Sequence, residues 1–226
     1  LILIQPDLGA SAVIFASALG VLFIAGVPIR QFTVVFLIGL IGIVLLITYV
    51  PWRWERIISF VDPWSDPYDK GYQLTLSLMS IGRGDWFGVG LGESLMKMGY
   101  LPDAHTDFIF SILIEELGLL SGILIIGMLF GICFRVFLIG RQSLQRRNHF
   151  GFFFCFGAAI LIGLHVFINV GVATGLLPTK GLTLPLFSAG GTNILIMCSI
   201  IGLILRIDYE NKISMPMASV KRRVTF

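Results

Sequence analysis

Charge is what this sequence has least of. Asp, Glu, Lys and Arg make up only 13% of its 226 residues, against roughly 25% in soluble domains. So few charges cannot cover a globular surface in water, which excludes an ordinary soluble domain and points to lipid as the main solvent. Histidine is scarce as well, with three in the chain, too few for a His-rich metal cluster. The three cysteines, Cys133, Cys155 and Cys198, sit in apolar runs. They show neither metal-ligand spacing nor an exposed pair, and read as small apolar packing residues. Internal repeats, low-complexity segments and a second, soluble domain are all missing. The chain opens at Leu1 without an initiator Met, signal peptide or cleavage pattern, and reads as part of a longer protein.

What fills the sequence is apolar: 56% hydrophobic residues and a mean hydropathy of +0.93. Five stretches approach the roughly 20 residues a bilayer crossing needs: 8–27, 31–50, 108–134, 152–174 and 186–205. The expected fold is an all-α, polytopic transmembrane helix bundle forming a single domain over 1–226. Net charge, +3, says less than its placement. Connection 135–150 carries Arg135, Arg141, Arg146 and Arg147 and no acid. The tail over 207–226, just beyond Arg206, holds Lys212, Lys221, Arg222 and Arg223 against Asp208 and Glu210. The positive-inside rule makes both cytoplasmic. The turn carrying Arg30 falls on the same side, and 51–107 becomes a large extracytoplasmic loop.

That loop is long, as functional loops often are. It holds Trp52, Trp54, Trp64 and Trp86 together with Tyr68, Tyr72 and Tyr100. Such rings prefer the headgroup layer, so the loop is expected to lie along the outer membrane surface.

Chemistry concentrates where this loop enters the third span. Asp103, His105 and Asp107 cluster there, and Asp107 is expected in the first turn of the helix. Acids at helix N-termini are favoured by the macrodipole and the unpaired N–H groups, which is the plain explanation. The functional one is a carboxylate at the membrane surface acting as general base on a lipid-linked substrate. Glu115 and Glu116 follow, roughly 12 Å along the helix from Asp107. Carboxylates inside an apolar span are costly, so each should pair or face a polar cavity, with Lys180 or Arg30 as candidate partners. A second segment, 175–191, is rich in Pro and Gly and dives back into the last span. Its backbone is tolerated only against protein or a wet cavity. Lys180, its one charge, either snorkels toward headgroups or contacts a substrate diphosphate.

Three other features carry less. Gly88, Gly90 and Gly92 in GVGLG lack the strand–helix unit of a nucleotide loop. His165 and Asn169, one turn apart, read as interhelical hydrogen-bonding residues. Pro6 and Asp7 fit a helix start.

The motifs QPDLG (5–9), DPY (66–68), GYQ (71–73), HTDFIF (105–110), EELG (115–118) and the 178–191 loop occur in the order found in the FtsW/RodA/SpoVE, or SEDS, family. The chain resembles that family from residue 5 to about Glu210. LPTKGLTLP (177–185) and RIDYE (206–210) resemble the cell-division branch more than the elongation branch. One departure is SAGGT (188–192), where the family commonly has Ser-Tyr-Gly-Gly-Ser. The resemblance implies about ten spans, of which this chain supplies half. It also implies a peptidoglycan glycosyltransferase that polymerises lipid II during septal wall synthesis. Asp107 matches the family's essential aspartate, with the implied role of general base. His105, Thr106, Glu115, Glu116, Lys180, Ser188, Gly190 and Gly191 are the implied substrate-binding positions. Positive charge from Lys180, another basic side chain or a divalent cation (Mg or Mn) would stabilise the leaving undecaprenyl diphosphate. No protein metal site is expected. The implied partners are lipid II, a class B penicillin-binding protein transpeptidase and other divisome membrane proteins, and no nucleic acid. The implied location is the bacterial inner membrane at the septum.

Three rivals stand beside this reading. A lipid flippase would suit intramembrane carboxylates, although transporters typically show repeats and midplane sites. A non-catalytic scaffold would tolerate loss of Asp107. An elongation polymerase would share the chemistry and differ in partner. The segment alone is expected to be inactive.

Overall fold

The computed structural model describes residues 8–49, 56, 59–69 and 71–213. Gln5, Pro6, Asp7, Trp52, Trp54, Lys221, Arg222 and Arg223 lie outside the described residues, and the readings placed on them with them. Regular structure among the described residues is all helical: α1 (Leu8–Ile24), α2 (Ile29–Thr48), α3 (Tyr72–Gly84), α4 (Ile109–Gln145), α5 (His149–Ala173) and α6 (Gly191–Ile213). The helices α4, α5 and α6 are each long and apolar enough to cross a membrane, and Gly9–Ile24 and Ile29–Leu45 add two shorter apolar stretches. The expected all-α membrane bundle is observed, with its first two spans as the shorter members.

Local chemistry sets the helix ends. Apolar sequence stops near residue 134, yet α4 continues to Gln145, because Arg135 and Arg141 are good helix formers once clear of lipid. Arg147, at φ 60°, turns the chain. Asn148 then caps α5, its side chain accepting from the Gly151 N–H at 2.9 Å. The last helix begins at Gly191, five residues later than the apolar run suggests. Pro185 has no N–H to give a helix, and Leu186 takes φ 67°. At the far end of α6, Asn211 donates to Ser143 Oγ on α4 at 2.8 Å.

Packing centres on the antiparallel α4–α5 pair. Ile125, Leu129, Ile162, Val166, Leu184 and Met197 form one buried cluster. Val136, Ile139, Cys155, Ala158, Ile204 and Ile207 form another nearer the Arg147 turn. The opposite face of α4 stays bare, with Leu119, Leu120, Ile123, Leu124, Met128, Phe130, Phe134 and Phe137 exposed. From residue 117 to 137 this strip is about 30 Å long, the thickness of a bilayer hydrocarbon core. Its length matches a membrane crossing. Glu115 and Glu116 stand just before this exposed strip, within the apolar helix Ile109–Gln145.

The long loop departs from the flat strap expected of it. Between residues 71 and 107 it forms a hairpin against the first turns of α4. Its first arm is α3, whose Ser77 and Ser80 face α4: Ser77 Oγ lies 2.6 Å from Ser111 Oγ and donates to Ala173 O at 2.8 Å. The chain then turns beside Gly118, where α4 is broken, with φ 84° and ψ 170°. Backbone groups freed by the break are taken up by the hairpin. Val89 N and Gly90 N donate to Glu115 O and Glu116 O at 2.9 and 3.0 Å, while Leu119 N donates to Asp85 O at 2.8 Å. The exchange satisfies groups that would otherwise be orphaned. It requires bare backbones: a Cβ on Gly118 would lie 2.2 Å from Trp86 O, and one on Gly88 2.2 Å from Glu116 O. The GVGLG run thus serves a backbone clasp.

Candidate active site

Asp107 sits two residues before α4, not in its first turn. The cap position is held by Phe108, without a side-chain cap bond. What fixes Asp107 is a tight turn around Asp103, which adopts φ 53°. Its carbonyl accepts from Thr106 N, Asp107 N and Phe108 N at 3.1, 3.0 and 3.3 Å. Leu101, Ala104 and Phe108 are buried beneath this turn. His105 is left exposed, with Thr106 and Asp107 half-buried.

The 178–190 loop folds directly onto this turn, for a reason legible residue by residue. Leu182, Leu184 and Pro185 are buried, Leu184 within the α4–α5–α6 cluster, so the backbone between them is drawn down against α5. Three links join loop and turn. Ala189 N donates to His105 O at 2.9 Å. Ser188 Oγ donates to Thr106 O at 2.5 Å and accepts from Leu184 N at 2.7 Å. The Asn169 side-chain amide donates to both Asp107 O at 2.8 Å and Leu182 O at 2.6 Å. Gly181 lies so close that a Cβ there would be 3.0 Å from Asp107 Oδ2. The chain link at residue 189 runs through backbone, so alanine in place of the family's tyrosine keeps it.

These contacts bring together His105, Thr106, Asp107, Ser188 and the Lys180–Gly181 stretch of the loop, with Gly190 and Gly191 leading out into α6. Lys180 is half-buried in the same loop. Arg56 reaches it too, its Nη1 3.5 Å from Thr179 O. Sequence reading passed over Arg56, because a basic residue in a long loop carries no signal of where the loop will close. It also took Asn169 for a generic interhelical residue, since spacing alone does not reveal which carbonyls it meets. Among the described residues no group of three or more His, Cys, Asp or Glu side chains is placed to hold a metal ion.

Glu115 and Glu116 are held apart from this rim. Glu115 is 0% exposed. It accepts from Ser80 Oγ at 2.9 Å, Ser94 Oγ at 2.6 Å, Leu95 N at 3.2 Å and Arg83 Nη1 at 2.9 Å. Glu116 pairs with Lys97. Their partners are thus Arg83 and Lys97 on the hairpin, in place of the Lys180 or Arg30 expected from sequence. The nearest sufficient cations were close along the chain, and the hairpin carried them in. Glu115→Gln removes the negative charge that gathers four donors around one buried site and takes the ion-pair partner from Arg83. It should lower stability by about 1–3 kcal/mol, measured as a drop in thermal unfolding temperature of the detergent-solubilised protein.

A broken membrane helix, a carboxylate turn ahead of it and a Pro/Gly loop folded on that turn can be set beside known proteins. The FtsW/RodA/SpoVE family profile, described as cell cycle protein, matches residues 1–213. The chain belongs to the FtsW/RodA/SpoVE family. Among curated relatives it is 46% identical over 212 residues to a probable peptidoglycan glycosyltransferase FtsW of Aliivibrio salmonicida, covering 94% of this chain and 53% of that protein. It is 49% identical to the similarly named protein of Halorhodospira halophila, covering 93% and 53%. The chain thus spans about half the length of these relatives. Among solved structures, one described as "Structural coordination of polymerization and crosslinking by a peptidoglycan synthase complex" contains a similar chain. Its TM-score is 0.70 at 29% identity, covering 92% of this chain and 57% of that one. As a member of the FtsW/RodA/SpoVE family with three full-length apolar helices, this is a multi-pass membrane protein.

Proposed function

We propose that the complete protein polymerises lipid II into glycan strands, with Asp107 as general base. The observation that carries this is the seam between the Asp107 turn and the 178–190 loop. It sets a carboxylate beside a loop bearing Lys180, at the end of a helix whose flank is made for lipid. In the reaction, Asp107 accepts the proton of the acceptor sugar hydroxyl as that oxygen attacks the donor anomeric carbon. The bond to the diphosphate oxygen breaks, and undecaprenyl diphosphate leaves with the electron pair. Developing negative charge on the leaving group calls for fixed positive charge nearby, which Lys180 supplies from this loop and Arg56 from the long loop that reaches it at Thr179 O. A divalent cation, where one is used, would draw ligands from the diphosphate itself. His105, Thr106, Ser188, Gly190 and Gly191 line the mouth for the sugar head. Glu115 and Glu116 support the fold beneath it.

The names of the relatives and of the synthase complex favour this reading over a flippase or a scaffold. They also favour a class B penicillin-binding protein transpeptidase and other divisome membrane proteins as partners. LPTKGLTLP at 177–185 favours the septal role over elongation. The arginine-rich connection between α4 and α5 supports a cytoplasmic placement of that end and of the C-terminus in the inner membrane.

The deciding experiment offers lipid II to the complete protein and its transpeptidase partner in detergent micelles, where no second leaflet exists. Strand formation supports polymerisation. No strands there, alongside lipid II translocation in vesicles, would support the flippase instead. A finer test lies at Gly181, which is exposed. Gly181→Ala should push the Asp107 carboxylate by a few tenths of an ångström and slow strand synthesis about 5- to 10-fold, with unfolding temperature unchanged. The same assay with a melting curve checks both.

A further inference from the structure

Within α5, Asn169 is 1% exposed and the most polar group among apolar neighbours. Its two amide hydrogens are both used, one on Asp107 O at 2.8 Å and the other on Leu182 O at 2.6 Å. Because both partners are carbonyls, the nitrogen must face them, which fixes the orientation of the amide. Its Oδ1 is buried with no hydrogen-bond partner among the described residues. A buried acceptor left unpaired costs free energy, so this side chain is retained for its two donors and not for general packing.

Those donors join the two halves of the rim at one point. Asp107 O belongs to the residue bearing the carboxylate, and Leu182 follows Gly181, where an added Cβ would lie 3.0 Å from that carboxylate. The other two links tie Ser188 to Thr106 and Ala189 to His105. They hold the far end of the loop, while Asn169 at Leu182 O and Arg56 at Thr179 O flank the Lys180–Gly181 stretch. We propose that Asn169 is a positioning residue: it sets the distance between the Asp107 carboxylate and the cationic stretch at Lys180 from a rigid membrane helix. The inference rests on Asp107 acting as the base. Without the two donors the helix still packs, but carboxylate and loop drift apart. Misplacement of this kind slows turnover much more than it weakens binding.

The test uses the complete protein with its transpeptidase partner, whose crosslinking is blocked, and follows strand synthesis from lipid II. Asn169→Leu keeps the volume and removes both donors, and Asn169→Gln keeps both donors on a longer arm. Expected for the leucine variant is a fall in kcat of about 30-fold or more with KM within about threefold, and for the glutamine variant a recovery of much of that loss. Should the leucine variant fail to reach the membrane, Asn169→Ser, which cannot span both carbonyls, is held to the same thresholds. A donor-free variant at wild-type kcat overturns the proposal, as does a loss explained entirely by a smaller folded fraction. Asp107→Asn in the same assay separates the two claims. If it is inactive while Asn169→Leu is fully active, only the positioning role falls. If Asp107→Asn is active, the general-base reading falls with it.

Discussion

Replacing Gly118 by valine should leave little folded protein in the membrane. The new Cβ would meet Trp86 O at 2.2 Å, Trp86 C at 2.5 Å and Gly88 N at 2.6 Å. These are backbone atoms, which cannot swing aside as a flexible side chain would. The substitution would also force a β-branched residue to φ 84°, where L side chains are strained. Relief requires the hairpin to leave the break in α4. That unpairs Val89 N, Gly90 N and Leu119 N and pulls Ser94 and Leu95 off the buried Glu115 carboxylate. Unpaired buried groups cost about 1–3 kcal/mol each, so the sum exceeds about 5 kcal/mol, a large share of ordinary stability. Gly127 is the control, with nothing within 4 Å of an added Cβ. In-gel fluorescence of a tagged, detergent-extracted protein should show Gly118→Val mostly lost or aggregated and Gly127→Val near wild type. Equal recovery of the two would mean that the clasp does not hold the hairpin.

Much of this architecture was legible in the sequence, for identifiable reasons. The last three spans are long uniform apolar runs, and no other structure buries such runs. That 105–107 and 178–191 would need partners was legible because polar and Pro/Gly-rich sequence at the edge of an apolar span must be satisfied somewhere, and the two are joined to each other. The partners of Glu115 were not legible. A carboxylate in an apolar span pointed to distant Lys180 or Arg30, but a nearby hairpin supplies Arg83 to Glu115 and Lys97 to Glu116. Nothing in composition shows that a loop with three close glycines will dock into a break at a fourth. That depends on backbone groups, which are the same in every residue. Spacing placed Asp107 in the first turn of the helix, and the turn at Asp103 instead leaves it two residues before Ile109. The partners of Asn169 were hidden for the same reason as the clasp, since both are main-chain carbonyls.

Asp107→Asn should reduce strand synthesis by about a thousandfold or more. The amide fits the space against Gly181 and leaves the fold alone, but it cannot take a proton at neutral pH. A positioned general base contributes about 10²–10⁴-fold, and the amide also removes the negative charge beside Gly181. Because the side chain is half-buried in a turn anchored by Leu101, Ala104 and Phe108, the unfolding temperature should stay within about 2 °C of wild type. The most direct measurement is therefore glycan strand formation from purified lipid II by the complete protein and its transpeptidase partner, crosslinking blocked, for wild type and Asp107→Asn side by side. Strands from wild type and none above background from an equally folded Asp107→Asn protein are the result expected of a polymerase with its base at this rim. Strands of equal length and yield from both would contradict it.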